Sequence, residues 1–136
     1  MAGSWLFKTE PTAYSYAQLA RDRRAVWDGV KNALALKHLA GVATGDRVII
    51  YHTGDEKAAV GVARVVRGAY PDPKHRESRL VVVDLVPVDA LPRPVALGEM
   101  RGNRGLAGFD LLRLPRLSVM PVSAEHWAEI MRMAQG

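Results

Sequence analysis

A tryptophan occupies the six-residue stretch WDGVKN, Trp27 to Asn32, where an Asp-Gly pair predicts a turn. Turns usually take small polar residues, so this indole either fills the core from a loop or forms a wall on which a planar ligand stacks. Polar and aromatic side chains near other turns and strand ends could complete a binding site, namely Lys8, Ser15, Asn32, Tyr51 and His52. Ser15 and Asn32 are equally suited to capping helices. The residues alone leave both interpretations open.

The sequence lacks the motifs of several catalytic and cofactor-binding classes. It contains no P-loop, no G-x-G-x-x-G and no G-x-S-x-G. With no cysteine, disulfides, thiolate zinc sites and cysteine nucleophiles are excluded. The four histidines, at positions 38, 52, 75 and 126, form no H-x-x-x-H pair. We therefore predict no metal, no cofactor and no catalytic residue.

The composition is that of a soluble globular domain with a basic surface. The 136 residues suit one domain, 1–136, and 49% of them are apolar and 24% charged. Nineteen Lys and Arg against 14 Asp and Glu give a net charge of +5, which favours a polyanionic partner such as nucleic acid. No apolar run approaches the roughly 18 residues of a membrane-spanning helix. We expect a soluble, cytoplasmic protein that does not bind membranes.

Local signals divide the chain into short strands and capped helices. Gly61 inside a strand indicates a bulge or a close backbone approach, and Pro121 indicates an edge strand. Three helices are predicted, each starting directly after a capping residue. Ser15 caps a helix that runs to about Arg23, Asn32 caps one that ends near Gly41, and Ser123 caps the last. The predicted strands are Ser4 to Lys8, Arg47 to His52, Val60 to Val66, Leu80 to Val86 and Leu117 to Val122. A basic loop, Tyr70 to Arg76, separates two of these strands.

Several strands with helices around them predict an α+β fold, most simply a small mixed barrel. Trp5 alternates with its neighbours along a strand and is expected in the core. Trp127 belongs to an apolar helical stripe and is expected there too.

Seven stretches together resemble the EVE domain family, in the family's order and over nearly the whole chain. They are WLFKTEP at 5–11, YS at 14–15, WDGVKN at 27–32, GD…YHTG at 45–54, YPDP at 70–73, LPRPV at 91–95 and RLSVMPV at 116–122. Two mild departures are Lys31, where an arginine is common, and Thr53, where serine is common. The resemblance implies a PUA-like fold, a mixed β pseudobarrel with flanking short helices, similar to YTH domains.

The resemblance also implies a function, that of a non-catalytic reader of modified bases such as modified cytosines in DNA or RNA. In that picture Trp27 stacks on a flipped base in a pocket at the barrel mouth. Ser15 and Asn32 read its polar edges, and Tyr51 and His52 line the same mouth. The residues expected to hold phosphate are Lys8, Lys31, Lys74 and Arg76.

Two other functions stay open. Some PUA-like relatives hydrolyse amide groups on modified nucleosides with a Lys, a Thr and a Glu, and Lys8, Thr9 and Glu10 supply those residue types. Alternation along a strand would place Lys8 and Glu10 on one side and Thr9 on the other. A protein-interaction module is the second alternative, for which Met120, Met131 and Met133 offer only generic apolar surface.

Overall fold

The computed structural model describes residues 3–75 and 78–136, which form a mixed sheet with short helices packed against it. The strands are β1 (Ser4–Thr9), β2 (Ala25–Trp27), β3 (Arg47–His52), β4 (Ala58–Pro71), β5 (Val81–Ala96) and β6 (Val119–Pro121). The helices are α1 (Tyr16–Asp22), α2 (Ala33–Ala40), α3 (Leu97–Arg101), α4 (Asp110–Arg113) and α5 (Ala124–Gln135), with a short 3-10 helix at Arg104–Leu106. None of the helices in these ranges has the length and apolar character needed to span a membrane.

The strand order across the sheet is β2-β5-β4-β3-β1-β6. β1 runs parallel to β3, and the other neighbouring strands are antiparallel. Register shifts interrupt the β3–β4 and β4–β5 pairs, and such bulges bend a strand and increase its twist. The sheet therefore curls into a half-barrel, which confirms the predicted α+β class and barrel-like sheet.

Strand β2 was not predicted, and it changes the position of Trp27. The residue lies at the end of a strand rather than in a turn, with Trp27 opposite Val83 of β5. Asp28 and Gly29 follow as the predicted break, and Gly29 has φ +77°, the left-handed region that glycine adopts without strain. Trp27 is therefore held by backbone pairing as well as by its side-chain contacts.

Strands β4 and β5 are longer than predicted. Tyr70 and Pro71, expected in a loop, end β4, while β5 continues through Pro87, Pro92 and Pro94. Among the described strands, β2 pairs with β5 only over Val83–Leu85. From there onward one side of β5 has no strand partner, and proline is tolerated at such an edge because no ladder hydrogen bond needs its missing N–H.

The predicted helix caps are confirmed. The Ser15 hydroxyl accepts a hydrogen bond from the Gln18 N–H while the Gln18 side chain accepts one from the Ser15 N–H, which is the reciprocal capping box. Asn32 Oδ1 accepts from the Ala35 N–H at 3.0 Å and starts α2. Ser123 caps α5 in the same way.

The core lies between the concave sheet and the helices. Trp127 is buried as predicted, but Trp5 is only half-buried and packs against the core, with its indole N–H donating to the Asp46 carboxylate. Gly61 lies at the predicted irregularity of β4, directly against the ring of Tyr16. The Tyr16 hydroxyl donates to the Val62 carbonyl oxygen at 2.8 Å, so helix α1 is pinned to β4 at this point.

Asp46 ties the start of β1 to the turn before β3. Its buried carboxylate accepts hydrogen bonds from the Gly3 N–H at 2.8 Å, the Ala43 N–H at 2.9 Å and the Trp5 indole N–H at 2.9 Å. Burial favours the neutral acid, but the three donors outweigh burial and hold the pKa of Asp46 below its usual range.

We expect Asp46→Asn to lower the free energy of unfolding by about 1–2 kcal/mol near neutral pH, because an amide cannot accept all three bonds. The folded-state pKa is depressed, so ionised Asp46 stabilises the fold above the unfolded-state pKa of about 3.9, and this contribution is lost as pH falls through the folded-state pKa. Urea denaturation at neutral pH and at about pH 3 measures the change, with exposed Asp55→Asn as the control. An Asp46→Asn effect equal at both pH values would contradict the assignment.

Candidate functional site

A pocket of about 490 Å³ opens between the end of β1, the turn before α1, and β2 with the residues that follow it. Its apolar part is formed by Trp27, Tyr14 and Val30, and its polar part by Lys8, Thr9, Asp28 and Lys31. The volume is within the roughly 300–1,000 Å³ of small-ligand sites. A few polar groups around an aromatic wall suit a flat molecule with hydrogen-bonding edges.

Trp27 forms a fixed wall of this pocket. Its side chain is 8% exposed, with the Phe7 ring centroid 5.8 Å away and tilted by 40°, and the Tyr14 ring packed edge-on at 6.2 Å. The two interpretations of the sequence are therefore both realised in part, because the indole fills the core and also borders the pocket. Little of its surface remains for a ligand without movement of Tyr14.

The charged groups around the pocket are mainly cationic. Lys8 Nζ donates to the Pro115 carbonyl oxygen at 2.8 Å, and burial lowers the pKa of Lys8 from its usual value. Lys31 is exposed at the rim. Lys74 Nζ lies 3.9 Å from the Asp28 carboxylate, which places this lysine of the basic loop beside the pocket. Lys8, Lys31 and Lys74, predicted as phosphate-binding residues, are thus brought together.

Four predicted ligand-binding residues do not line the pocket, and three of them, Ser15, Asn32 and His52, have structural roles. Ser15 and Asn32 engage their side chains in helix caps. His52 is buried, with Nε2 accepting from the Tyr16 N–H at 3.0 Å and Nδ1 2.6 Å from Glu56 Oε1. Each has a structural role, and a ligand contact by any of them stays a prediction. Arg76 lies outside the described residues.

Tyr51 lines a second pocket, of about 290 Å³, rather than the Trp27 pocket. Lys8 borders both pockets, because it is opposite Tyr51 in the parallel β1–β3 register. The Lys8 ammonium lies 5.8 Å from the centre of the Tyr51 ring.

The residues of the hydrolase alternative are arranged differently from the prediction. Lys8 and Thr9 both line the Trp27 pocket, whereas Glu10 accepts hydrogen bonds from Thr12 and Thr53 outside it. β1 ends at Thr9, so the alternation that was expected to place Glu10 beside Lys8 does not extend to Glu10. The Thr9 hydroxyl donates to the Tyr14 carbonyl oxygen at 2.7 Å, so its proton is already engaged. Within residues 3–75 and 78–136, no group of three His, Asp or Glu side chains could hold a metal ion.

Tyr14 is a pocket residue that sequence reasoning missed, although the YS pair at 14–15 contained the signal. Its hydroxyl donates to Asp22 at 2.8 Å, and burial together with this contact raises the pKa of Tyr14 to about 12. The phenol is therefore neutral at physiological pH.

A curled mixed sheet with short helices packed around it and a pocket beside its first strand defines the chain as a PUA-like domain. The sequence matches the profile of the EVE domain over residues 3–133. A solved structure, Rpa0253 from Rhodopseudomonas palustris, is 35% identical with a TM-score of 0.93, covering 98% of this chain and 94% of that one. The chain belongs to the EVE domain family.

Two further similarities concern thymocyte nuclear protein 1. The mouse protein is 24% identical over an alignment that covers 99% of this chain and 75% of the mouse protein. The human THYN1 protein, solved in complex with DNA containing 5-methylcytosine, has a TM-score of 0.93 at 22% identity, with 99% of both chains covered. At this identity the human structure establishes the shared fold.

Proposed function

We propose that this chain binds nucleic acid and accepts a modified base, such as a modified cytosine, flipped into the Trp27 pocket. The observation that carries the proposal is the juxtaposition of an aromatic wall, Trp27, with Lys8 and Lys31 at one pocket. The THYN1 complex with 5-methylcytosine DNA, which has the same fold, supports the class of ligand.

The energies are compatible with this role. Stacking of a base on an aromatic side chain is worth about 1–3 kcal/mol, and extruding a base from a duplex costs a few kcal/mol. Because Trp27 is 8% exposed and Tyr14 packs against it, stacking on Trp27 would offset only part of that cost unless the Tyr14 ring moves aside. Net affinity must then come from contacts with phosphate, which carry no sequence information themselves.

The cations suited to those contacts lie around the pocket. Lys31 and Lys74 are exposed there, and the whole chain carries a net charge of +5. Lys74 makes only a long contact with Asp28, at 3.9 Å, so its ammonium has donors left for a phosphate.

The test is a binding titration with matched oligonucleotides that differ at one cytosine, unmodified or 5-methylated, in DNA and in RNA. We expect tighter binding of one modified form, and a slope of log K against log salt of about −3 for duplex DNA with three or four phosphate contacts. Equal affinity for every base would contradict the reader function.

A matched pair of variants tests the position of the phosphate contacts. Lys31→Gln, at the pocket rim, should make the slope less steep by about 0.9. Lys37→Gln removes the same charge from exposed α2 and should leave the slope unchanged. Identical slopes for Lys31→Gln and the unmodified protein would remove Lys31 from the interface.

A further inference from the structure

The second pocket, of about 290 Å³, carries an unusual concentration of positive charge. Three cationic side chains line it, Lys8, Lys57 and Arg101, together with the buried Tyr51. Lys8 also borders the Trp27 pocket, so the two cavities share this lining residue. A ligand in the Trp27 pocket could therefore extend past Lys8 into the second pocket.

Separate elements bring these cations together. Parallel pairing of β1 with β3 places Lys8 opposite Tyr51. The Lys57 carbonyl oxygen accepts a hydrogen bond from the Leu97 N–H at 2.8 Å, which fixes the start of α3, and Arg101 ends that helix. Lys8 and Arg101 therefore lie on β1 and α3, while Lys57 lies in the turn between β3 and β4 and is tied to α3 by this hydrogen bond.

The cations of this pocket lack ion-pair partners among the described residues. In the described residues, none of the ion pairs involves Lys8, Lys57 or Arg101. Glu10 approaches the rim at Gly54, but its carboxylate accepts hydrogen bonds from Thr12 and Thr53. Lys8 is partly buried, and Lys57 and Arg101 are exposed at the pocket. Three cationic groups without an ion-pair partner favour an anionic ligand.

Tyr51 supplies an independent observation. Its side chain is 3% exposed, yet its hydroxyl makes no hydrogen bond with any described residue. No fully buried side-chain polar atom of the described chain lacks a partner, so this hydroxyl must reach the pocket surface. Burial raises the pKa of Tyr51, which keeps the phenol protonated and able to donate. A hydroxyl donor beside three cations matches the acceptor oxygens of a phosphate.

We propose that Lys8, Lys57, Arg101 and the Tyr51 hydroxyl form a phosphate-binding pocket that holds a backbone phosphate next to the base in the Trp27 pocket. The assignment of the phosphate to a polymer rests on the proposed function. The anionic site itself stands on the geometry of the second pocket. A free nucleotide would offer the same phosphate chemistry, and the test separates the two sources.

The experiment measures binding of DNA oligonucleotides containing one 5-methylcytosine by fluorescence anisotropy. One non-bridging oxygen of the phosphate on either side of the modified base is replaced by methyl, which removes the charge at that linkage. We expect one of the two neutral linkages to weaken binding by about tenfold, as loss of a charge-assisted contact would. Arg101→Gln should weaken binding of the oligonucleotide with an unmodified backbone by a similar factor. The affinity of this variant should not fall further when that same linkage is made neutral.

Two variants control for folding and for general charge. Tyr51→Phe keeps the ring. Because the hydroxyl has no partner among residues 3–75 and 78–136, the variant should melt like the original while binding several-fold more weakly. Arg104→Gln removes one exposed charge from the 3-10 helix, away from this pocket, and should bind nearly as well as the original.

The outcomes separate this proposal from the proposed function. If the protein prefers 5-methylcytosine but Arg101→Gln and Tyr51→Phe bind as Arg104→Gln does, the phosphate pocket is wrong and the reader function stands. If Arg101→Gln loses affinity and linkage sensitivity while base modification has no effect, the pocket is right and base reading is wrong. A third outcome is that 5-methyl-2′-deoxycytidine 5′-monophosphate binds tenfold better than its nucleoside, while neither neutral linkage changes the affinity of the oligonucleotide. This outcome would overturn the assignment of the phosphate to a nucleic-acid backbone.

Discussion

Replacing Trp27 by alanine is expected to lower the free energy of unfolding by about 3–5 kcal/mol, the usual cost of truncating a buried large aromatic side chain. The indole is 8% exposed and packs between the Phe7 and Tyr14 rings, so its removal leaves a cavity on the concave side of the sheet. Against a total stability of roughly 5–15 kcal/mol, the loss would be plain in thermal melting. An unchanged melting temperature would show that the pocket collapses without cost.

Trp27→Phe separates stability from binding. A phenyl ring retains part of the packing and part of the stacking surface, so both melting temperature and affinity for a modified oligonucleotide should fall between those of the original and Trp27→Ala. Trp127→Phe is the matched control, because Trp127 is equally buried but lies on α5, where we expect lower stability with unchanged affinity per folded molecule. If folded Trp27→Ala binds as tightly as the original, the Trp27 pocket is not the base site.

Gly61→Ala is expected to lower the free energy of unfolding by about 3 kcal/mol, at the upper end of the cost of overpacking a core. A Cβ at this position would overlap the Tyr16 ring, which is held by the hydrogen bond from its hydroxyl to the Val62 carbonyl oxygen. The ring cannot move away without breaking that bond or displacing α1. Chemical denaturation of the two proteins measures the difference.

Two comparisons isolate the steric cause. Gly98→Ala introduces the same methyl group on α3, where no atom lies within 4 Å, so it should be neutral or slightly stabilising. In a Tyr16→Ala background, Gly61→Ala should cost little, because the colliding ring is gone. A Gly61→Ala penalty that persists in that background would show that the backbone of β4, rather than the ring, requires glycine.

The elements with strong local signals could be predicted from the sequence. Caps at Ser15, Asn32 and Ser123 have side chains that satisfy the helix N-terminus wherever the helix packs, so local sequence determines them. The β-branched run of β3 and the edge position of Pro121 follow equally from residue type. These features need no knowledge of the rest of the chain.

Strand β2 could not be predicted, because tertiary pairing makes it a strand. Its three residues, Ala25 to Trp27, are too few for a period to be visible, and they become extended through pairing with β5. Pro87 was misleading for a different reason. It predicts the end of a strand after Val86, but β5 continues, because the fold leaves that side of the strand without a partner strand among the described residues.

The candidate site was predicted in part for similar reasons. Trp27 and Lys8 were identified from residue type and from the family resemblance, and both line the pocket. Lys57 and Arg101 were not, because they are ordinary exposed cations in sequence and meet Lys8 only through the pairing of β1 with β3 and the contact that fixes α3. When the topology of the sheet brings distant residues together, the sequence around each residue contains no sign of that contact.

The place of β1 in the sheet sets the order in which the molecule can fold. β3, β4 and β5 are joined by short connections and can pair early, since closing short loops costs little entropy. β1 lies between β3 and β6, with Phe7 opposite Val119, so it cannot acquire both neighbours until nearly the whole chain is available. During synthesis, the edge of β1 that contains the apolar Leu6 and Phe7 therefore stays unpaired until β6 has been synthesised. An unpaired apolar strand edge makes the nascent chain prone to aggregation.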